Sequence, residues 1–309
     1  MKIPHNWRLN EIGNYDVDGD IRLTKDYIYD GKLQIRFGRV TGNFCCYKLE
    51  LSTLEGCPAE VGGTFDCTQN KLTTLKGAPE IVGGDFYCTS NLITSLKGAP
   101  KQVKGDFNCS FAKLTTLKGA PKTVGGSFYC SGNYLTSLTG APTEVGGNFE
   151  CWETRLLSLR GAPKQVGGNF DCASNKLTTL KYTPKKVDGD FDCSSNQLTS
   201  LVGVPESIRG EFKCQANKLV VLNKVPRGVT NITCYNNPLR TISIGILQFL
   251  TTSNRFSDLI KQIRYIDWAG VSGSIYSHEQ WIPKSSRVKH INMTPQQARE
   301  LKALQLSWV

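Results

Sequence analysis

The chain has 309 residues, of which 39% are hydrophobic and 20% charged, and 37 Lys and Arg against 26 Asp and Glu give a net charge of +11. No apolar run approaches the roughly 18 residues that a membrane span needs, and the opening residues MKIPHNWRLNEIG lack the apolar core of a secretory signal. Length alone would suggest about two domains, but repetition inside the chain overrides that count.

Residues 1–42 read as an N-terminal cap containing a degenerate first repeat. Trp7, Leu9, Ile12 and Tyr15 are expected to cover the open end of a stack. From Val17 a repeat grammar is visible, because Val17-x-Gly19-x-Ile21-x-Leu23 aligns with Val61-x-Gly63-x-Phe65-x-Cys67.

Residues 43–242 repeat one sentence, as in DFYCTSNLITSLKGAPKQVKG from Asp85 to Gly105. Ten cysteines, from Cys46 and Cys67 to Cys214 and Cys234, recur every 21 residues except for a last step of 20. Two residues before each stands Phe, from Phe44 to Phe212, with Ile232 at the last position. Residues two apart on a strand share a face, so Phe-x-Cys reads as a short strand with both side chains inward. Asn follows three residues after most cysteines, as at Asn70, Asn133 and Asn196. A buried Asn row can satisfy backbone groups where the chain turns out of the strand. Leu or Ile come five and eight residues after the cysteine, then Gly, Ala, Pro, Val and Gly. One such coil cannot bury its apolar side alone, so the coils must stack.

Phe-x-Cys-x-x-Asn-x-Leu-x-x-Leu with a following Pro resembles the leucine-rich repeat, Phe and Cys standing in strand positions often held by Leu. The fuller wording, LTSLKGAP with VGGDFDCS, is similar to leucine-rich-repeat proteins frequent in large tailed bacteriophages. The resemblance covers roughly residues 17–242. It implies an α/β repeat fold, a solenoid of about eleven short parallel strands with an N-terminal cap and a small, mainly helical C-terminal cap. It carries no catalytic motif. Leu49, Ala112 and Thr154 depart from the Asn position, and Tyr182 and Lys224 from a Gly position, so those coils are expected to be less regular.

Ten of the twelve cysteines share one inward register, the wrong layout for stapling a small secreted domain, and read as reduced core thiols. Cys45 and Cys57 lie outside that register and read as ordinary free cysteines. The residues flanking Phe on the strand alternate outward. They include Asp66, Asp85, Asp106, Glu150, Asp171, Asp190, Asp192 and Glu211, with Tyr87 and Tyr129 among them and Tyr47, Trp152 and Tyr235 just beyond the cysteines. This strand face is acidic and aromatic, while Lys76, Lys97, Lys118 and Lys181 fall on the outer, convex side. Aromatic residues amid carboxylates favour a protein partner, with Tyr87, Tyr129, Trp152 and Tyr235 as anchors and Asp66, Asp85, Asp106, Asp171 and Asp192 around them.

Residues 243–309 leave the period and read as a helical C-terminal cap or docking segment. Ser257 is placed to cap a helix through about Tyr265, and Thr294-Pro295-Gln296-Gln297 reads as a capping box opening a last helix to about Leu306. From Arg240 onward nine Lys and Arg face four Asp and Glu, and Trp268, Trp281 and Trp308 are candidate docking anchors.

His5, His278 and His290 have no partners at metal or triad spacing, and the Gly-Gly pairs are turn chemistry, not a phosphate loop. The resemblance to bacterial effectors that join such repeats to a cysteine-nucleophile ligase domain fails, since Cys234 is the last cysteine. The sequence therefore points to a non-enzymatic protein-binding scaffold with no cofactor and no metal. The resemblance implies a phage virion component or a phage protein that binds a host target. Synthesis would be in the host bacterial cytoplasm, and the partner a viral structural protein or a host protein. The second reading is a nucleic-acid-associated protein using the basic convex side and the C-terminal segment.

Overall fold

A computed structural model describes residues 6–243 and 265–267. The chain winds as a solenoid, and each coil contributes two short strands that Gly-Gly or its equivalent separates. The Phe-x strands stack into one eleven-stranded parallel sheet, from Ile21–Arg22 and Phe44–Cys45 through Phe86–Tyr87 and Phe170–Asp171 to Asn231–Thr233. Eleven is the number the repeat grammar predicts, with the degenerate coil at Ile21 as its first member.

The second sheet was not legible in the sequence. Most of its strands are two-residue steps ending in Val, such as Glu60–Val61, Ile81–Val82 and Glu144–Val145, and it also has eleven members. Its first pair is antiparallel, Trp7–Leu9 against Tyr15–Val17, and the remaining pairs are parallel. Trp7 closes this end of the core, its ring 5.1 Å from Phe37 and 5.8 Å from both Tyr15 and Tyr27. Leu9 and Ile12, expected beside it, are exposed instead.

The interior is built of columns. Phe44 to Phe191 lie face to face with ring centroids 5.1–5.6 Å apart in successive coils, the offset stacking that aromatic rings prefer. Phe, Cys, the two Leu and Val of every full coil are buried. No disulfide joins any of the twelve cysteines, and burial pushes the column thiols from Cys67 to Cys214 well above the ordinary thiol range and Cys234 to about 12. Several of their Sγ–H groups donate to the next coil, Cys67 to the Tyr87 carbonyl at 3.3 Å and Cys151 to that of Asp171 at 3.3 Å.

The Asn column staples the coils. Asn133 Oδ1 accepts the Leu114 N–H at 3.0 Å, while its Nδ2 donates to the carbonyls of Cys109 at 3.0 Å and Cys130 at 2.9 Å. Asn70, Asn175 and Asn196 repeat the pattern. Where the sequence departs from Asn, Thr154 keeps a fragment of it, donating to the Cys151 carbonyl at 3.3 Å or to Asn175 Oδ1 at 2.6 Å, and Ala112 has no polar atom to continue it.

After the second Leu the chain turns through a left-handed Gly. A Cβ on Gly98, at φ +90°, would sit 2.7 Å from the Leu75 carbonyl carbon and the Lys76 nitrogen of the preceding coil, so the coils can approach there only without a side chain. Tyr182, standing in this column, still takes φ +73°, so the left-handed turn is kept there although the residue is not Gly. Beyond the last full coils, Thr241–Ser243 pairs in parallel with Val221–Leu222 and with Tyr265–Asp267, which places Ile242 opposite Ile266. Pairing thus runs one step past Ile242, where the sequence pattern stops, and Tyr265 is strand. The rest of the expected helix from Ser257, the final helix to Leu306 and the anchors Trp268, Trp281 and Trp308 lie outside the described residues. Among the described residues no helix is long and apolar enough to cross a membrane.

Candidate functional site

The strand pleat sorts the residues around each Phe into three surface columns. The first precedes Phe and runs Asp20, Asn43, Thr64, Asp85, Asp106, Ser127, Asn148, Asn169, Asp190. It is a second polar ladder. Each side-chain oxygen accepts the N–H of the same column in the next coil: Asp20 from Asn43 at 2.7 Å, Asp85 from Asp106 at 2.8 Å, Asp106 from Ser127 at 2.7 Å, Asp190 from Glu211 at 2.8 Å. Asp85 and Asp106, predicted as part of a binding face, therefore each spend one carboxylate oxygen on the scaffold. The second oxygen of Asp85 accepts the Tyr87 hydroxyl at 2.8 Å, which fixes that ring, and burial together with Asp85 raises the Tyr87 phenol above its ordinary value.

The second column follows Phe and faces outward: Cys45, Asp66, Tyr87, Asn108, Tyr129, Glu150, Asp171, Asp192, Lys213. Successive members are register partners in the sheet. Asp66, Asp171 and Asp192 are half-buried, each accepting the N–H two residues on, Thr68 at 2.9 Å, Ala173 at 2.8 Å and Ser194 at 2.8 Å. That bond ends the strand and leaves one oxygen per carboxylate for the outside. Trp152, one step further along its coil, donates its indole N–H to Glu150 Oε2 at 3.3 Å. Tyr235 is exposed at the far end of the same face, in the coil after Lys213. The predicted face residues are thus brought onto one side of the solenoid but strung along it, from Asp66 to Tyr235.

The third column was invisible to sequence reasoning. Two residues after each cysteine the backbone is left-handed, with φ near +54° at Lys48, Gln69, Ser90, Phe111, Glu153, Ser174, Ser195, Ala216 and Asn236. Gly132 is the tenth member, and because the other nine carry side chains, no glycine pattern announced it.

Glu150, Asp171 and Asp192 occupy three successive rungs with no cation between them until Lys213. Burial of Asp171, helped by its two carboxylate neighbours and opposed by the Ala173 amide and Lys213, raises its pKa to about 6. The folded chain thus holds this proton more tightly than the unfolded chain. The stability Asp171 contributes is complete below its unfolded value and is lost as pH rises through about 6. Asp171→Asn, which keeps the acceptor for Ala173, is expected to stabilise the protein by about 1–2 kcal/mol at pH 8, after allowance for its partial exposure, and to leave pH 4 little changed. Urea midpoints at the two values check this, and equal shifts at both would contradict it.

The outer side differs. Lys76 meets Glu55 at 3.5 Å and Lys101 meets Glu80 at 2.7 Å, all four side chains well exposed. Glu50 is held at about 2 by its bonds to Lys71 and Lys25. Part of the positive charge on this side is thereby matched pairwise. A shallow groove of about 750 Å³ runs over Gly125, Gly146 and Gly167 beside the Val strands, edged by Gln102, Thr123, Glu144 and Gln165. It is open and holds no aromatic anchor. Among the described residues no group of three or more His, Cys, Asp and Glu is placed to hold a metal ion.

No family model matches the sequence, and comparison with curated proteins gives no match. Solved structures do match, among them YopM from Yersinia enterocolitica WA-314, with a TM-score of 0.54 and 20% identity over 67% of this chain and 46% of that one. The likeness is one of fold, that of a leucine-rich-repeat solenoid. The chain spans less than half the length of the YopM chain it matches.

Proposed function

We propose that the protein is a non-enzymatic scaffold that binds another protein along the outward column of its Phe strands and the turn beside it. The observation that carries this reading is where the repeats differ from one another. The outward strand column holds seven residue types in ten coils, from Cys45 to Thr233. The two exposed-side positions between the leucines are both Ser or Thr in seven of the ten coils. A fold that needed only to stack would have no reason to diversify one face and keep another uniform. Diversity that includes Tyr, Asp, Asn, Glu and Trp on a rigid array is what a tailored protein interface requires.

On this reading Tyr87, Tyr129 and Trp152 are anchors, and Asp66, Asp171 and Asp192 supply the charge that selects a basic or mixed partner surface. Because the wording of the repeats resembles that of tailed-phage proteins, the reading extends to a phage virion component or an infection-phase protein made in the bacterial cytoplasm that binds a host target. Mass spectrometry of purified particles separates those two roles. With a partner identified by pull-down from infected cells, replacing the three anchors by Ala is expected to weaken binding at least a hundredfold, about 3 kcal/mol. Unchanged affinity would remove the reading. A mobility shift with DNA or RNA that falls steeply with salt would instead favour the basic outer side as a nucleic-acid surface.

A further inference from the structure

Phe111 is out of place by every rule the fold obeys. It stands in the left-handed column at φ +53°, where a bulky aromatic side chain is costly, and no other coil puts an aromatic there, the column otherwise holding Lys, Gln, Ser, Gly, Glu, Ala and Asn. No burial offsets that cost, since Phe111 is 52% exposed. The next rung of the column is Gly132, and a Cβ there would sit 2.4 Å from Phe111 Cδ1, so the missing side chain is what lets the ring lie across that coil. Beyond it the ring meets Trp152 edge-on, with centroids 5.8 Å apart at 69°. Three successive coils thus hold one exposed aromatic unit. The two coils that supply its rings are those in which Ala112 and Thr154 replace the stapling Asn, while Asn133 between them is intact. Local rules broken together at one place mark a functional site more often than a structural one.

Charge identifies what the unit receives. Glu150 holds the Trp152 indole, Glu153 follows Gly132 in the left-handed column, and Asp171 is the register partner of Glu150. The nearby cations lie in another column, one position after the Asn: Lys113, Arg155 and Lys176. Arg155 there sits 4.3 Å from the Tyr134 ring centroid, so this surface already seats one guanidinium on an aromatic face.

We propose that Phe111 and Trp152, with the carboxylates of Glu150 and Glu153, form a seat for an arginine or lysine side chain carried by the protein partner. Aromatic faces bordered by carboxylates attract a cation by its charge and exclude an anion. The proposal rests on the protein-binding reading and adds the chemistry of one contact to it.

The test is a titration of the full chain with a capped nonapeptide bearing Arg at alternate positions, against the same peptide with neutral citrulline, read by the indole N–H signal of Trp152. The Arg peptide is expected to move that signal and to bind about tenfold tighter than the citrulline peptide. Phe111→Ser, which relieves backbone strain and so folds at least as well, and Gly132→Ala, which displaces the ring, are each expected to abolish the difference. Equal affinity for the two peptides, no binding of either, or an unchanged preference in Phe111→Ser would overturn the seat. The broader reading is decided apart from this. A partner still held by Phe111→Ser but lost on replacing Tyr129 and Asp171 keeps the scaffold and rejects the seat.

Discussion

Phe128→Ala is expected to lower the free energy of unfolding by about 3–5 kcal/mol, the range for emptying a fully buried aromatic site. Phe128 has no exposed surface and stacks on Phe107 at 5.3 Å and Phe149 at 5.5 Å. The cavity would therefore interrupt a column instead of an isolated contact. A solenoid's stability is close to a sum of coils and nearest-neighbour interfaces, so the damage should be local. Native-state hydrogen exchange is expected to lose protection first in the amides around Phe107, Phe128 and Phe149, with the coils near Phe44 and Phe212 retaining theirs. Uniform loss along the chain would mean that the coils unfold as one unit.

Asn133→Ala is expected to cost as much, about 3–5 kcal/mol, through a different mechanism. Truncation leaves the Leu114 N–H and the Cys109 and Cys130 carbonyls without their partner in a buried site, and each orphaned group costs about 1–3 kcal/mol. Asn133→Asp separates hydrogen bonding from packing. The carboxylate still accepts from Leu114 but turns an anion toward two carbonyls in place of a donor. At neutral pH it should destabilise at least as much as Ala, although its shape is nearly unchanged. Denaturant midpoints of the two variants check the order, and an Asp variant as stable as the native chain would show that the ladder acts by shape alone.

These two columns were legible before the structure because each is written in one residue type. Phe at a fixed spacing says strand and inward, and Asn at a fixed offset says buried turn. What was not legible is written in mixed letters. The ladder through Asp85, Asp106, Ser127 and Asn148 needs only a short side chain with an oxygen acceptor. Charged and neutral residues serve alike, and the acids among them looked like a binding surface. The second sheet hid because its strands are two residues long and abut Gly-Gly, which reads as turn. The left-handed column hid because the backbone angle is imposed by stacked neighbours and not chosen by glycine. The face carrying Tyr87, Tyr129, Trp152 and Asp171 was legible as a surface from strand alternation alone. The aromatic unit within it was not, because Phe111 and Trp152 are 41 residues apart and meet only across a coil whose Gly132 leaves room.

The central claim, a dry interior of Phe and Cys rungs behind a varied outer face, is tested most directly by counting reactive thiols. Under native conditions brief treatment with iodoacetamide, read by mass spectrometry of the intact chain, is expected to modify Cys45, which is partly exposed, and to spare the other eleven. All twelve should react once the chain is unfolded in denaturant. Rapid native labelling at Cys88, Cys130 or Cys172 would place those thiols outside the core and contradict the stacked-coil account.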